Sequence, residues 1–249
     1  MICKIGSRAA AWTGGIEVID NFEEKTENEL LKFANEMMVM KEEGLIDWIQ
    51  KKGMEIQQLM TYYQCAIMEI ETKLKVLNAE YSLQHDRNPI NSIKTRLKKL
   101  PSIIEKMEKR GLEVSVESIE ENIYDVAGVR VICSFEEDVY TLAEALLSQD
   151  DVTLIRKKDY IKCPKPNGYR SMHLIVAVPI FLGNEKRSMN VEIQLRTIAM
   201  DCWASLEHQL RYKKNFKFTD IAEQELYKCA ILSSELDRRM DLLRQEMGL

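Results

Sequence analysis

Two carboxylates stand where the strands of a predicted sheet would present them to phosphate groups. Asp125 immediately precedes the apolar run VAGVRVIC, and Glu192 lies inside the segment VEIQLRT. In that second segment Glu192, Gln194 and Arg196 alternate with aliphatic residues, so one strand face carries an acid, an amide and a cation. Carboxylates at such positions suit Mg²⁺ held against phosphates. Taken singly, each has a structural alternative, which is a strand-capping aspartate for the first and a solvated sheet face for the second.

A third group of polar residues lies in the segment KCPKPNGYRSMH, which predicts a loop. Lys162 and Lys165 are cationic, and the backbone around Asn167 and Gly168 offers flexible hydrogen-bond donors. Tyr169 adds a ring that could stack on a nucleotide base. Most basic loops are simply solvated, and that alternative stays open for this segment taken alone.

Further cations precede both carboxylates. Residues 92–99 alternate between basic side chains and Ile, Thr or Leu, which predicts a half-buried strand whose other face carries Arg96 and Lys98. A helix is predicted to follow, with Lys106 and Lys109 on one face. Two carboxylates on separate strands, with cations and an aromatic loop around them, are the groups that phosphoryl transfer between nucleotides needs.

The elements that must position these residues alternate along the middle of the chain. The predicted strands are residues 92–99, 126–133, 152–159, 172–178 and 189–195, and the helices between or after them are 101–110, 137–147 and 199–212. Long amphipathic helices are predicted at the two ends, over residues 54–81, with Met68 on the inner face, and over residues 220–247. We therefore expect an α+β fold with a mixed sheet of about five strands flanked by helices. Residues 1–52 are expected to form a partly disordered helical extension with a helix over residues 22–50, and residues 53–249 the catalytic domain.

Composition excludes several classes of protein. The 249 residues are 45% hydrophobic and 30% charged, which is typical of a folded globular chain. No apolar run approaches the roughly 20 residues that span a bilayer, so we expect a cytoplasmic protein with no membrane segment. Six scattered cysteines and three histidines show no zinc-ligand spacing. The absence of a Walker A or GxGxxG motif disfavours a P-loop enzyme and a dinucleotide-dependent dehydrogenase.

Four segments together resemble the synthetase domain of RelA/SpoT proteins: YDVAGVRVIC, KPNGYRSMHLIV, VEIQLRT and AMDCWASLEHQLRYK, in this order and spacing. The resemblance covers roughly residues 55–245 and is to the small alarmone synthetases of the RelQ type. It implies a fold akin to nucleotidyltransferases. It also implies transfer of a pyrophosphoryl group from ATP to the 3′-hydroxyl of GDP or GTP, with GMP as a further candidate acceptor. The products would be AMP and (p)ppGpp, the alarmone of the stringent response.

The resemblance also implies a role for each matching residue. The adenine of ATP would lie between two guanidinium planes, those of Arg96 and Arg130. The ATP phosphates would be held by Lys98, Lys106 and Lys109. Magnesium would be carried by Asp125 and Glu192, and Glu192 would also accept the proton of the 3′-hydroxyl. Guanine would stack on Tyr169, and the rest of the acceptor pocket would consist of Lys165, Asn167, Arg170, His173, Gln194, Arg196, Glu207 and His208.

The small members of this family are tetramers joined through their terminal helices, so the resemblance implies a homotetramer. Some of them also bind the alarmone as an activator in a central cleft. Lys75 fits the pattern of that cleft. The pattern departs where a cation, an aromatic residue and an amide are expected, at Asn78, Ser92 and Asp201.

Two other functions remain open from the sequence. A related enzyme could transfer the group to a different acceptor, such as a tRNA end or an adenine nucleotide. Alternatively, the chain could be a regulatory module with a decayed site that binds single-stranded RNA. The net charge of −5 weighs mildly against a dedicated nucleic-acid binder. The presence of both Asp125 and Glu192 weighs against decay.

Overall fold

The computed structural model describes residues 43–85, 87–183, 185–211 and 219–248. The part of the predicted N-terminal extension up to residue 42, which includes most of the helix predicted over residues 22–50, lies outside these ranges. The described residues from Leu59 onward belong to one compact unit, and the described residues up to Gln58 belong to a second. Within the described ranges, no helix is both long enough and apolar enough to cross a membrane.

Five strands and six helices make up the described part of the chain. The strands are β1 (Ile90–Leu97), β2 (Ala127–Cys133), β3 (Thr153–Asp159), β4 (Met172–Leu182) and β5 (Glu185–Thr197). The helices are α1 (Glu43–His85), α2 (Leu100–Lys109), α3 (Val116–Asn122), α4 (Glu136–Leu147), α5 (Ile198–Arg211) and α6 (Asp220–Glu246).

The five strands form a single mixed sheet in the order β1-β2-β5-β4-β3. β2 and β5 pair in parallel, and the other three neighbouring pairs are antiparallel. Because β5 pairs with both β2 and β4, the last strand in sequence lies in the centre of the sheet. This mixed sheet with its helices confirms the predicted α+β fold.

One face of the sheet packs into the main hydrophobic core. β2 contributes Val129 and Val131, and β5 contributes Ile193 and Leu195, all of them at most 1% exposed. Buried residues of α1, α2, α3 and α4 belong to the same cluster. Since successive residues of a strand point to opposite faces, the alternate residues of these strands face away from this core.

Three details differ from the pattern-based expectations. α1 runs without interruption through residues 51–53, where the predicted helices over residues 22–50 and 54–81 were separate, because one glycine, Gly53, costs a long helix only about 1 kcal/mol. The short helix α3 was not predicted, although Ser115 caps it by accepting a hydrogen bond from the backbone N–H of Ser118 at 3.0 Å. Met68 was expected on the inner face of α1, but it is 58% exposed. Ile67 is buried in its place.

Candidate active site

Two rows of side chains cross the sheet on the face that points away from the core. Across β1, β2, β5, β4 and β3, strand register places the first row in the order Lys94, Arg130, Gln194, His173, Lys158, and the second in the order Arg96, Gly128, Glu192, Ile175, Arg156. Residues paired on neighbouring strands share a face. Cations from β1, β2 and β3 therefore flank the carboxylate of Glu192.

Asp125 lies just before β2 and is held by two lysine side chains. Nζ of Lys98 is 2.9 Å from Oδ2, and Nζ of Lys106 is 2.7 Å from Oδ1. The backbone N–H of Lys98 also donates to the carbonyl oxygen of Val126 at 2.8 Å, which fixes the end of β1 beside Asp125. Burial raises the pKa of Asp125, but the hydrogen bonds from Lys106 and Lys98 outweigh burial and leave this pKa below its ordinary value. Asp125 is therefore an ionised carboxylate with one ammonium group near each oxygen.

Glu192 is the second carboxylate, and two neighbouring polar side chains contact it. Nε2 of Gln194 donates to Oε2 at 3.0 Å, and Nδ1 of His173 is 3.5 Å from Oε1. Burial raises the pKa of Glu192. The interactions with His173 and Gln194 outweigh this effect, so the pKa lies below its ordinary value. Both candidate catalytic carboxylates are therefore ionised at neutral pH.

The hydrogen bonds that connect Arg196, Tyr169 and His173 can each be given a direction from the chemistry of the groups. A guanidinium group can only donate, so Nη2 of Arg196 donates to the hydroxyl oxygen of Tyr169 at 2.8 Å. The Tyr169 hydroxyl is then free to donate to Nε2 of His173, 2.9 Å away. A neutral His173 consequently carries its proton on Nδ1, which faces Glu192. This chain of hydrogen bonds connects the loop before β4 to the carboxylate.

The same loop brings an aromatic cluster to the site. The rings of Tyr160 and His173 meet edge to face with centroids 5.4 Å apart, and those of Tyr160 and Tyr169 are 6.0 Å apart. Nζ of Lys165 lies 4.8 Å from the centroid of each tyrosine ring. An ammonium group held between two rings combines positive charge with flat surfaces. This arrangement suits the binding of a nucleotide.

Asp201, in the first turn of α5, binds three cations. Its Oδ1 is 3.3 Å from Nη1 of Arg130 and 3.1 Å from Nη1 of Arg196, and its Oδ2 is 3.3 Å from Nζ of Lys94. Burial, followed by repulsion from Arg196, lowers the pKa of Arg130. Asp201 therefore offsets repulsion between a cation assigned to ATP and a cation assigned to the acceptor.

Asp125 and Glu192 line one cavity of about 560 Å³. Three further residues of the predicted site share this lining: Lys106, Lys165 and His173. The structure thus brings together candidate groups from a helix, a turn, a loop and two strands that are up to 86 positions apart in the sequence. An anionic ligand in this cavity would meet cations and both carboxylates.

Other predicted residues lie on the strands and the loop of the site without lining the cavity. Arg196 donates from Nη2 to Oε1 of Gln194 at 3.0 Å, so Gln194 bridges Arg196 and Glu192. Oδ1 of Asn167 accepts a hydrogen bond from the backbone N–H of Tyr169 at 3.2 Å, a contact that shapes the loop. Arg96 is exposed on β1. The nucleotide contacts assigned to these residues stay predictions.

Four predicted residues have surroundings that the patterns did not indicate. Nζ of Lys109 is 2.5 Å from Oε1 of Glu105, on an exposed helix face. Glu207 accepts from Nε of Arg211 at 2.6 Å, one turn along α5, and His208 is exposed. The Arg170 guanidinium is buried and binds carboxylates on other elements. Their assigned roles likewise stay predictions.

Several residues of the site were not predicted from the sequence. Arg156, Lys158 and Tyr160 line the cavity from β3 and the start of the loop. Arg156 and Lys158 are two positions apart in a strand and share a face, but Lys157 between them is also basic, so no alternation of cations with apolar residues marked that face. Asp201 carried no such signal, because its importance lies in three cations that only the fold brings together.

Comparison with known proteins agrees with this geometry. Residues 95–217 match the region found in RelA and SpoT proteins. The GTP pyrophosphokinase YwaC of Bacillus subtilis is 42% identical over 185 residues, which are 74% of this chain and 88% of YwaC. The crystal structure of small alarmone synthetase 2 from Bacillus subtilis has a TM-score of 0.70 at 38% identity, covering 77% of this chain and 99% of that one. Small alarmone synthetase 1 from the same organism, bound to its product pppGpp, has a TM-score of 0.70 at 33% identity, covering 77% and 97%.

A mixed sheet with two carboxylates in a cationic cleft is the architecture of an enzyme that acts on phosphate groups. With the identities and coverage above, the chain belongs to the RelA/SpoT family, among its small alarmone synthetases of the RelQ type. The resemblance drawn from the four sequence motifs is confirmed.

Proposed function

We propose that this chain is a GTP pyrophosphokinase that transfers the pyrophosphoryl group of ATP to the 3′-hydroxyl of GDP or GTP, forming (p)ppGpp and AMP. The observation that carries the proposal is the pair of ionised carboxylates, Asp125 and Glu192, in one cavity flanked by cations. The names of the relatives support it, since YwaC is a GTP pyrophosphokinase and small alarmone synthetase 1 binds pppGpp as its product.

In the proposed reaction, the acceptor 3′-oxygen attacks the β-phosphorus of ATP. The bond from that phosphorus to the oxygen bridging the α-phosphorus breaks, and AMP leaves with this oxygen. The hydroxyl proton passes to Glu192, which is ionised because its pKa is depressed. His173 keeps the carboxylate oriented, since its Nδ1 faces Oε1. Lys98 and Lys106 offset the charge of the ATP phosphates.

We also propose that Asp125 and Glu192 hold Mg²⁺. Both offer carboxylate oxygens, and Mg²⁺ is usually bound by one or two carboxylates together with substrate phosphates and water. The described residues contain no group of three or more potential ligands, so a metal held by protein side chains alone does not fit them. When bound, the ion would offset negative charge on the transferring group. Asp125 would then release at least one lysine ammonium, which becomes available to an ATP phosphate.

The acceptor nucleotide is assigned to the side of the cavity formed by the loop before β4. This side contributes the rings of Tyr160 and Tyr169 and the ammonium group of Lys165. The rings suit a base, and the ammonium group suits its phosphates. ATP is assigned to the side of β1, α2 and β2, where Arg96 and Arg130 would hold adenine. The two nucleotides would thus approach Glu192 from opposite ends of the polar rows.

A Tyr169→Ala variant should weaken binding of the guanine nucleotide by at least about fivefold, because stacking on an aromatic ring contributes about 1–3 kcal/mol per base. ATP affinity should change by less than about threefold. Isothermal titration calorimetry with GDP and with a non-hydrolysable ATP analogue measures both. Tyr169→Phe is the matched control, since it removes the hydroxyl but keeps the ring. Equal losses of both affinities in Tyr169→Ala would contradict the assignment.

The proposed activity is tested by supplying ATP and Mg²⁺ with GMP, GDP or GTP in separate reactions and separating the products by chromatography. AMP and a guanosine 3′-diphosphate should form in equal amounts. Parallel reactions with an adenine nucleotide, tRNA and a single-stranded RNA test the other acceptors. Transfer of label to RNA or to an adenine nucleotide, with none to any guanine nucleotide, would overturn the proposal.

We propose a homotetramer as well. α6 carries a set of apolar side chains that are each at least 45% exposed: Ile231, Leu232, Leu236, Met240 and Leu243. Large exposed apolar surfaces of this kind mark contacts between proteins. Light scattering after size-exclusion chromatography should give the mass of four chains, and the mass of one chain would contradict the proposal.

A further inference from the structure

Arg170 follows Tyr169 directly, yet its side chain is buried and holds carboxylates from two helices. Only 8% of it is exposed. Nη1 donates to Oδ2 of Asp237, on α6, at 3.0 Å, and Nη2 pairs with Oε2 of Glu136, the first residue of α4. A buried guanidinium needs such partners, because an unpaired charge in the interior is costly. Arg170 therefore ties the loop to α6 and to α4.

The two residues before Arg170 also lie against neighbouring helices. Gly168 has φ of +86°, and a Cβ built on it would lie 2.4 Å from Cβ of Ala230 on α6, so no larger residue fits there. Tyr169 packs on the cluster formed by Trp203 and Ala230 with Ala204. The indole N–H of Trp203 in turn donates to the carbonyl oxygen of Leu226, on α6, at 2.9 Å. Three consecutive loop residues thus contact α6 or a cluster that includes it.

We propose that Asp237, acting through Arg170, is a positioning residue for the acceptor side of the active site. The inference rests on the proposed function, in which Tyr169 binds the acceptor. Only one peptide bond separates Tyr169 from Arg170, and the Tyr169 hydroxyl makes contacts of 2.8 and 2.9 Å with Arg196 and His173. Such contacts fail when a side chain moves by about 1 Å. The ion pair with Asp237 keeps the loop in the position that these contacts require.

The ATP side of the site is held by different groups, so the effect of Asp237 should be confined to the acceptor. Lys98 and Lys106 are bound by Asp125, and Arg130 is bound by Asp201. These contacts lie on β1, α2, β2 and α5 and do not include Asp237. Loss of the ion pair between Arg170 and Asp237 should therefore change the KM for the acceptor much more than the KM for ATP.

The test compares Asp237→Asn with Glu235→Gln in steady-state assays of the full chain. Both variants replace one carboxylate of α6 by an amide, but Glu235 pairs with Arg238 and Arg239 on the exposed face. In Asp237→Asn the KM for GDP should rise by at least about fivefold, whereas the KM for ATP should change by less than about twofold. Glu235→Gln should leave both constants within about twofold of the wild-type values.

A double variant, Arg170→Met with Asp237→Leu, keeps the test decisive if Asp237→Asn folds poorly. It removes the ion pair between Arg170 and Asp237 without leaving either of these two buried groups charged and alone, and Glu136, which loses Arg170 as a partner, is 32% exposed and can be solvated. The double variant should show the same selective rise in the KM for GDP. An unchanged KM for GDP, or equal rises in both KM values, would overturn the inference. A wild-type enzyme that uses no guanine nucleotide would instead overturn the proposed function, so the two failures are distinguishable.

Discussion

A Glu192→Gln variant should lose roughly 10²–10⁴-fold in kcat, the range associated with removal of a general base. The amide is nearly isosteric with the carboxylate, so β5 and its neighbours should remain in place. It cannot accept the 3′-hydroxyl proton, and it is a weaker ligand for Mg²⁺. The measurement is single-turnover formation of AMP at saturating ATP and GDP.

Glu185→Gln is the matched control for this variant. Glu185 begins the same strand, but its carboxylate is exposed and lies 3.9 Å from Nη1 of Arg187. Turnover of the control should stay within about twofold of wild type, since exposed pairs contribute little. Turnover of Glu192→Gln equal to that of the control would show that the assigned proton transfer and metal binding are wrong.

The pH dependence of kcat/KM provides a second test of the role of Glu192. Interactions with His173 and Gln194 outweigh burial and depress the pKa of Glu192 below its ordinary 4.5, so the ionised form persists to lower pH than in a free glutamate. Activity that needs this form is present above the depressed pKa and is lost as the pH falls through it. The acidic limb of kcat/KM should therefore lie below 4.5. A limb well above 4.5 would contradict the assignment of Glu192 as the titrating base.

Local patterns were sufficient to place the strands and to identify which strand face is polar. A strand has a side-chain period of two, so Glu192, Gln194 and Arg196 had to share one face wherever β5 lay. The same reasoning placed Arg96 and Lys98 together, and β1 confirms that strand with its start two residues earlier. These inferences depend only on neighbouring residues, which is why they did not need the fold.

Strand order and register could not be obtained in this way. β5 lies between β2 and β4, which sets Glu192 beside Gly128 and Ile175. Lys158 becomes a site residue only because β3 pairs with β4 in the register that aligns it with His173. Register is determined by the packing of whole faces and by the connections between strands, so no single segment specifies it.

The direction in which a long side chain points could likewise not be predicted from the sequence. Lys165 and Arg170 are both cations of one loop, and both were assigned to the acceptor. Lys165 is exposed between two tyrosine rings, whereas Arg170 turns away to Asp237. The difference follows from the close contact of Gly168 with α6, a contact between residues 62 positions apart.

An Asp125→Asn variant should affect nucleotide binding and turnover in different ways. Asp125 is ionised and holds Lys98 and Lys106 at 2.9 and 2.7 Å, so its removal frees two ammonium groups to meet phosphates. Binding of an ATP analogue without Mg²⁺ should therefore stay the same or become tighter. Turnover should fall by roughly 10²-fold or more, because stabilisation by a bound metal is worth several kcal/mol.

Calorimetry in a chelator and a Mg²⁺ titration of activity measure the two effects of Asp125→Asn. Asp151→Asn is the control, since Asp151 also pairs with a lysine, with Nζ of Lys73 2.6 Å away, but does not line the cavity. It should leave both the Mg²⁺ dependence and the turnover unchanged. If Asp125→Asn weakens binding of the metal-free analogue and the control does not, Asp125 orders the two lysines for ATP. In that case its assignment as a metal ligand loses its support.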